Sequence, residues 1–214
     1  MYFFARVWHR CLSNGPAPLP LSGAAIVIAN HANHSDPAFL LANSTRLLHF
    51  LHAREYFDVF LLRSLFTRVG CIPVRRDGRD VAAVRSALRC LREGGVLCLF
   101  PEGEISMKRK GPAKAGAALL ALKSRAPVIP AFIDGGPRSQ DLLRDWLWPA
   151  CGVRVVFGPA IDLSAYYGRP VERDLLNEVT ALLMQRILEL EPGRRPSKDP
   201  LFLTHRELRG EGAA

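Results

Sequence analysis

The five cysteines, Cys11, Cys71, Cys90, Cys98 and Cys151, include no C-x-x-C pair, so neither a disulfide framework nor a zinc knuckle is implied. They read as buried thiols in a reducing compartment. No stretch reaches the ~18 uncharged apolar residues of a spanning helix, so any membrane contact is expected from one side. The opening "MYFFARVWHRCLSNGPAPLP" sets Arg6 and Arg10 inside a short aromatic stretch. A secretory leader needs a longer charge-free apolar region, so a signal peptide is not expected. Paired Cys/His finger spacing, an aromatic-basic strand of the RNP kind and a basic helix with a heptad extension are all missing, so no nucleic-acid partner is expected.

What is present is a 214-residue chain with 49% hydrophobic residues and a formal charge of +9. With nucleic acid set aside, that surplus points to an anionic membrane face or to anionic substrates. Short apolar runs bounded by Gly, Pro, Asn or Asp recur as "AAIVIA" (24–29), "LLHFL" (47–51), "CIPV" (71–74), "VLCLF" (96–100), "VIPAFI" (128–133) and "VRVVF" (153–157). They are continuous rather than alternating, which predicts strands buried on both faces. Apolar residues at three- and four-residue steps predict helices over 80–93 and 171–191, and the run 113–124, rich in Ala, Leu and Lys, predicts a third. The alternation predicts an α/β fold, a mixed, largely parallel sheet flanked by helices. The expected division is an N-terminal amphipathic segment over 1–20, one domain over 21–191 and a loose, charged tail over 192–214.

Three strand ends are polar. "NHANHSDP" (30–37) follows the first long strand, where open α/β sheets form their ligand crevices. A turn between His31 and Asp36 brings the carboxylate to one imidazole nitrogen and leaves the other for a substrate hydroxyl. Two alternatives compete. Asp36 with Pro37 is also a helix start, with Asp36 as a plain N-cap, and His31, His34 and Asp36 could supply three metal ligands, although nothing nearby completes the set. "FPEGEIS" (100–106) ends another strand with a rigid turn, the Glu102 carboxylate and the Gly103 amide, which suit a small polar head group. The basic run after it, Lys108, Arg109, Lys110 and Lys114, could hold an anion or be a solvated loop. "GCIPVRRDGRD" (70–80) ends a third strand with Arg75, Arg76 and Arg79, and at most one of the adjacent arginines should face the crevice.

In this order the pieces resemble the phospholipid/glycerol acyltransferase family, which includes the 1-acylglycerol-3-phosphate acyltransferases. Asn30, His31 and Asp36 match N-H-x-x-x-x-D; Gly70, Ile72 and Arg76 match G-x-I-x-x-x-R; Phe100, Pro101, Glu102, Gly103 and Ser106 match F-P-E-G-T-R-S. "PVIPAFI", with Pro130, is the counterpart of the apolar fourth motif, and Lys114 in "KAGA" that of the K-x-G-A element. The resemblance implies transfer of a fatty acyl group from an acyl-CoA or acyl carrier protein thioester to a hydroxyl of a lysophospholipid acceptor, most simply 1-acylglycerol-3-phosphate. It implies His31 as general base, Asp36 as its orienter, Arg76, Gly103 and Lys114 on the phosphate, and Glu102 on the acceptor. No cofactor, metal or covalent enzyme intermediate is implied, because the thioester is already activated. The sequence departs from the family at Glu104-Ile105, which replace Thr-Arg. Either Lys108, Arg109 or Lys110 compensates for that arginine, or the acceptor is not a simple lysophosphatidate.

A lipid acceptor requires a docking surface. Tyr2, Phe3, Phe4, Val7 and Trp8 with Arg6 and Arg10 have the composition of an interfacial segment on anionic lipid. The stretch 55–70, with Tyr56, Phe57, Phe60, Leu61, Leu62, Leu65 and Phe66, is a second candidate, with core packing as its alternative. The expected location is cytoplasmic and peripheral, on the inner face of the cell membrane. A noncatalytic lipid-binding protein of the same fold is the rival reading; a lipid-ester hydrolase is disfavoured because no G-x-S-x-G elbow supplies a nucleophile.

Overall fold

Ala25–Ala29 (β2) is apolar at every position and buried at every position, because successive side chains of a strand point to opposite faces and both faces of this one are covered. Ala25, Val27 and Ala29 face one core and Ile26 and Ile28 the other. The computed structural model describes residues 3–58, 60–75, 80–103, 113–135 and 152–193. The other strands are Leu12–Ser13 (β1), Leu48–Ala53 (β3), Ile72–Val74 (β4), Val96–Leu99 (β5), Val128–Asp134 (β6) and Arg154–Phe157 (β7). They form one sheet in the order β1-β7-β6-β2-β5-β3-β4. The pairs from β6 through β4 are parallel, and β7 runs antiparallel to β6, which makes the sheet mixed and largely parallel.

Val81–Arg92 (α3), Gly116–Ser124 (α4) and Arg173–Leu188 (α5) cover one face through Ala87, Leu91, Leu120, Val179 and Leu183. Asp36–Ala42 (α1) and the N-terminal turn Phe4–Trp8 cover the other through Phe39, Leu40 and Ala5. Phe60–Arg68 (α2) connects β3 to β4. The predicted strands and helices are present with shifts of a few residues at their ends. Lys114 precedes its helix, since α4 begins at Gly116.

The N-terminal segment is built into the domain more firmly than its amphipathic composition implies. β1 pairs in parallel with β7, and Ala5, His9 and Cys11 are buried. Arg6 binds the Asn43 side chain at 2.6 Å and the Cys11 carbonyl at 3.1 Å. A two-residue strand leaves little pattern in a sequence, so its register depends on the partner that receives it. Arg76, Arg79, the stretch from Glu104 to Lys110, Cys151 and the tail after Gly193 lie outside the described residues. So do the side chains of Phe4, Tyr56, Phe60, Leu61, Leu62 and Leu65. Among the described residues no helix is long and apolar enough to cross a membrane.

Candidate active site

β2 and β5 are neighbours at the centre of the sheet, in a register that pairs Ile28 with Leu99. Their carboxyl ends therefore deliver "NHANHSDP" and "FPEG" side by side. Asn30 fixes the first of these loops. Its buried amide accepts from the Ile133 N–H at 2.7 Å and donates to the Ile133 carbonyl at 2.9 Å, which closes the end of β2 against β6. Past this anchor the chain turns back toward α1, and one carboxylate oxygen organises the turn. Asp36 Oδ2 accepts from Ala32 N at 2.7 Å and Asn33 N at 2.9 Å, and stands 2.9 Å from His31 Nδ1.

This geometry decides between the competing readings of Asp36. The N-cap position of α1 is Ser35, and Asp36 is the first helical residue with Pro37 behind it. The Asp36 carboxylate points back into the loop instead of capping its own helix. A carboxylate only accepts, so a neutral His31 facing it carries its proton on Nδ1 and its lone pair on Nε2. Asp36 is fully buried, whereas the His31 side chain keeps 16% of its exposure. The carboxylate is shielded and the imidazole can be reached. Among the described residues no group of three or more His, Cys, Asp or Glu is arranged to hold a metal ion.

The β5 end completes the setting of His31. The Phe100 ring stacks on the imidazole with centroids 4.1 Å apart and planes within 16°, and Glu102 Oε1 accepts from the His31 backbone N–H at 3.2 Å. Glu102 is buried, and its carboxylate holds the His31 backbone as well as facing the loop. The Gly103 N–H, expected to be open for a ligand, donates to the Phe100 carbonyl at 2.9 Å and closes the turn. Gly103 sits at φ +70°, and an added Cβ would lie 2.6 Å from Lys114 Cε and 2.9 Å from Nζ. The left-handed backbone favours glycine here, and the Lys114 side chain lies across it. The Lys114 backbone N–H donates to the Pro101 carbonyl at 2.7 Å, which ties that cation to the same turn.

An aromatic wall extends from Phe100. Phe50 on β3 stacks 6.4 Å from Phe100; His52, two residues on, lies 6.1 Å from Phe50 and stacks on Phe66 at 4.6 Å. Burial pushes the His52 imidazole down to about 4, with the nearby His31 adding to the effect. A histidine with a depressed folded value takes protons more readily when unfolded. Stability is therefore full above the ordinary 6.5 and falls as the pH approaches 4. The loss should be about 3 kcal/mol across that window. Urea melts of wild type and His52→Phe between these limits should show the acid destabilisation markedly flattened in the variant.

Of the predicted site residues, His31, Asp36, Glu102, Gly103 and Lys114 meet in one place, and Arg76 lies outside the described residues. Gly70, of the same motif as Arg76, has φ +67°, and an added Cβ would overlap the His49 ring, so that glycine has a local structural reason. The roles of Phe100, Phe50 and His52 were missed. Their signal is parity: Phe50 pairs with Cys98 in the β3–β5 register, so continuing two residues brings His52 beside Phe100.

An acyltransferase family model matches residues 10–134. The 1-acyl-sn-glycerol-3-phosphate acyltransferase of Bacillus subtilis is 23% identical over 174 residues, covering 81% of this chain and 84% of that protein. A probable 1-acyl-sn-glycerol-3-phosphate acyltransferase of Mycoplasma pneumoniae is 30% identical over 120 residues, covering 52% of this chain and 45% of that protein. The fold is that of the 1-acyl-sn-glycerophosphate (LPA) acyltransferase PlsC of Thermotoga maritima, with a TM-score of 0.69 and 20% identity over 91% of this chain and 77% of that chain. The matched region runs from the N-terminal segment to the end of β6 and contains His31, Asp36, Glu102, Gly103 and Lys114, so the chain belongs to the acyltransferase family.

Proposed function

We propose that this chain transfers a fatty acyl group from an acyl-CoA or acyl carrier protein thioester to the free hydroxyl of a glycerol-based lysophospholipid, 1-acylglycerol-3-phosphate in the first place. The observation that carries the reading is the 2.9 Å His31 Nδ1–Asp36 contact at the mouth of a central strand, with Nε2 as the basic nitrogen. The names of the B. subtilis and M. pneumoniae relatives support the acceptor class.

In this reading Nε2 takes the proton of the acceptor hydroxyl as its oxygen attacks the thioester carbonyl. Asp36 supports the imidazolium that forms. The tetrahedral adduct collapses with cleavage of the C–S bond, the proton passes from imidazolium to the departing sulfur, and His31 returns neutral. No covalent enzyme intermediate is required, because base and alignment are enough for an activated ester. Lys114 across Gly103 supplies a cation for the acceptor phosphate, joined by Arg76 in this reading, while Glu102 fixes the backbone of the base and borders the acceptor site.

The protein works as a peripheral enzyme on the inner face of an anionic membrane. Phe3, Val7, Trp8 and Leu12 are exposed large apolar residues beside Arg10, which supports interfacial docking by the N-terminal segment. The test is acyl transfer from a radiolabelled long-chain acyl-CoA and the matching carrier-protein thioester to lysophosphatidate, glycerol-3-phosphate, other lysophospholipids and nonphosphate lysolipids. Lysophosphatidate should be acylated at least about tenfold faster than a nonphosphate acceptor, the scale of a lost charge-assisted contact. Equal rates across the panel would remove the phosphate from the account. Absence of product with every acceptor would refute acyl transfer.

A further inference from the structure

Beyond the His31 site, the same carboxyl edge of the sheet carries a second group of chemically matched side chains. Arg54 directly follows β3 and Arg75 directly follows β4. Both line one cavity of about 400 Å³ beside the first turn of α3, together with Pro73, Asp80, Val81 and Ala82. Among the described residues its lining has two guanidinium groups against one carboxylate. Asp80 is already engaged, accepting from Arg75 N and Ala83 N at 2.9 Å each, with Arg75 Nε 4.0 Å away. Among the described lining residues the net charge is positive. The lip is apolar, with Val81 59% exposed beside Pro73. A cationic cavity with an apolar lip suits a phosphoryl group attached to a less polar body.

We propose that this cavity seats the phosphoryl end of the acyl donor's pantetheine arm, from which the thioester runs along the carboxyl edge of the sheet to His31. The inference rests on the acyl-transfer reading. β4, β3, β5 and β2 are successive neighbours, so the cavity lies two to three strand spacings from the end of β2, about 10–14 Å. A pantetheine arm, roughly four residue-lengths of extended chain, reaches about 14 Å. CoA and a carrier protein both present this phosphopantetheine chemistry. CoA adds a nucleotide, for which the Val81–Pro73 lip offers a surface.

The test compares the full chain with the double variant Arg54→Gln/Arg75→Gln, using one acyl group on CoA, on carrier protein and on N-acetylcysteamine, a thioester with no phosphate. The ratio of kcat/KM for the CoA donor to that for the truncated donor should fall about 30-fold in the variant, the scale of losing two charge-assisted contacts to a half-open cavity. Calorimetric binding of free CoA should weaken in parallel, while KM for the acceptor moves less than about threefold, since its phosphate is held elsewhere. A loss confined to the carrier-protein donor would support the site and assign it to that donor. A donor ratio unchanged in the variant, or a loss that appears in the acceptor KM, would overturn the proposal. Should the wild type transfer from none of the three donors, the acyl-transfer reading fails, and the calorimetric arm still decides the cavity: CoA binding that the variant loses sustains it, and no binding refutes it.

Discussion

Asp36→Asn is expected to lower kcat by about 10⁴-fold with little change in KM, the scale set when a buried orienting carboxylate is neutralised beside a catalytic histidine. The amide nearly matches the carboxylate in shape, so its oxygen can still accept from Ala32 N and Asn33 N. Two things are lost. The charge that supports the imidazolium is gone, and the proton no longer has to sit on Nδ1, so Nε2 is not held as the base. There is also a cost to the fold. Asp36 Oδ1 is buried and has no hydrogen-bond partner among the described residues, so an NH₂ group at either oxygen position replaces an acceptor with two donors. Burying such a group unsatisfied costs about 1–3 kcal/mol. Steady-state kinetics and a thermal melt of the same preparation separate the two effects. Activity should fall by orders of magnitude while the melt shifts by several degrees. A variant that lost stability and kept its turnover would reduce Asp36 to a loop anchor.

The site depends on the sheet as much as on its motifs. Neither "NHANHSDP" nor "FPEG" makes an active site alone; the register of β2 against β5 puts Phe100 on the ring of His31 and Glu102 on its backbone. Asn30 shows how tightly the frame is held. Its side chain pairs with both polar groups of the Ile133 backbone, and an apolar residue there would leave both unmatched in a buried place.

Much of this was legible in the chain. Continuous apolar runs gave the central strands because burial on both faces removes alternation, and helical periods gave α3 and α5. The spacing of His31 and Asp36 pointed to their contact, but spacing alone could not separate an orienting carboxylate from an N-cap, because both begin with an aspartate ahead of Pro37. The direction of the carboxylate separates them, and that is fixed by two backbone amides of a loop whose course no local pattern encodes. The Gly103 amide was misassigned for a similar reason: a tight turn uses its own N–H, and turn closure is visible only in three dimensions. The aromatic wall depends on pairing between strands far apart in sequence, which single-strand patterns do not report.

His31→Ala is the second large effect, and it bears on the mechanism most directly. The side chain is partly exposed, and its polar partner Asp36 keeps two backbone donors without it, so the fold should survive. The base does not. General-base catalysis is worth about 10²–10⁴ in rate. His52 is held neutral by burial and is stacked on Phe66 within the aromatic wall. The measurement is single-turnover acyl transfer from a long-chain acyl-CoA to lysophosphatidate, wild type against His31→Ala, with matched melting curves. A fall of about 10³-fold at an unchanged melting temperature is the predicted result; a variant that folds and transfers within about tenfold of the wild-type rate would contradict it.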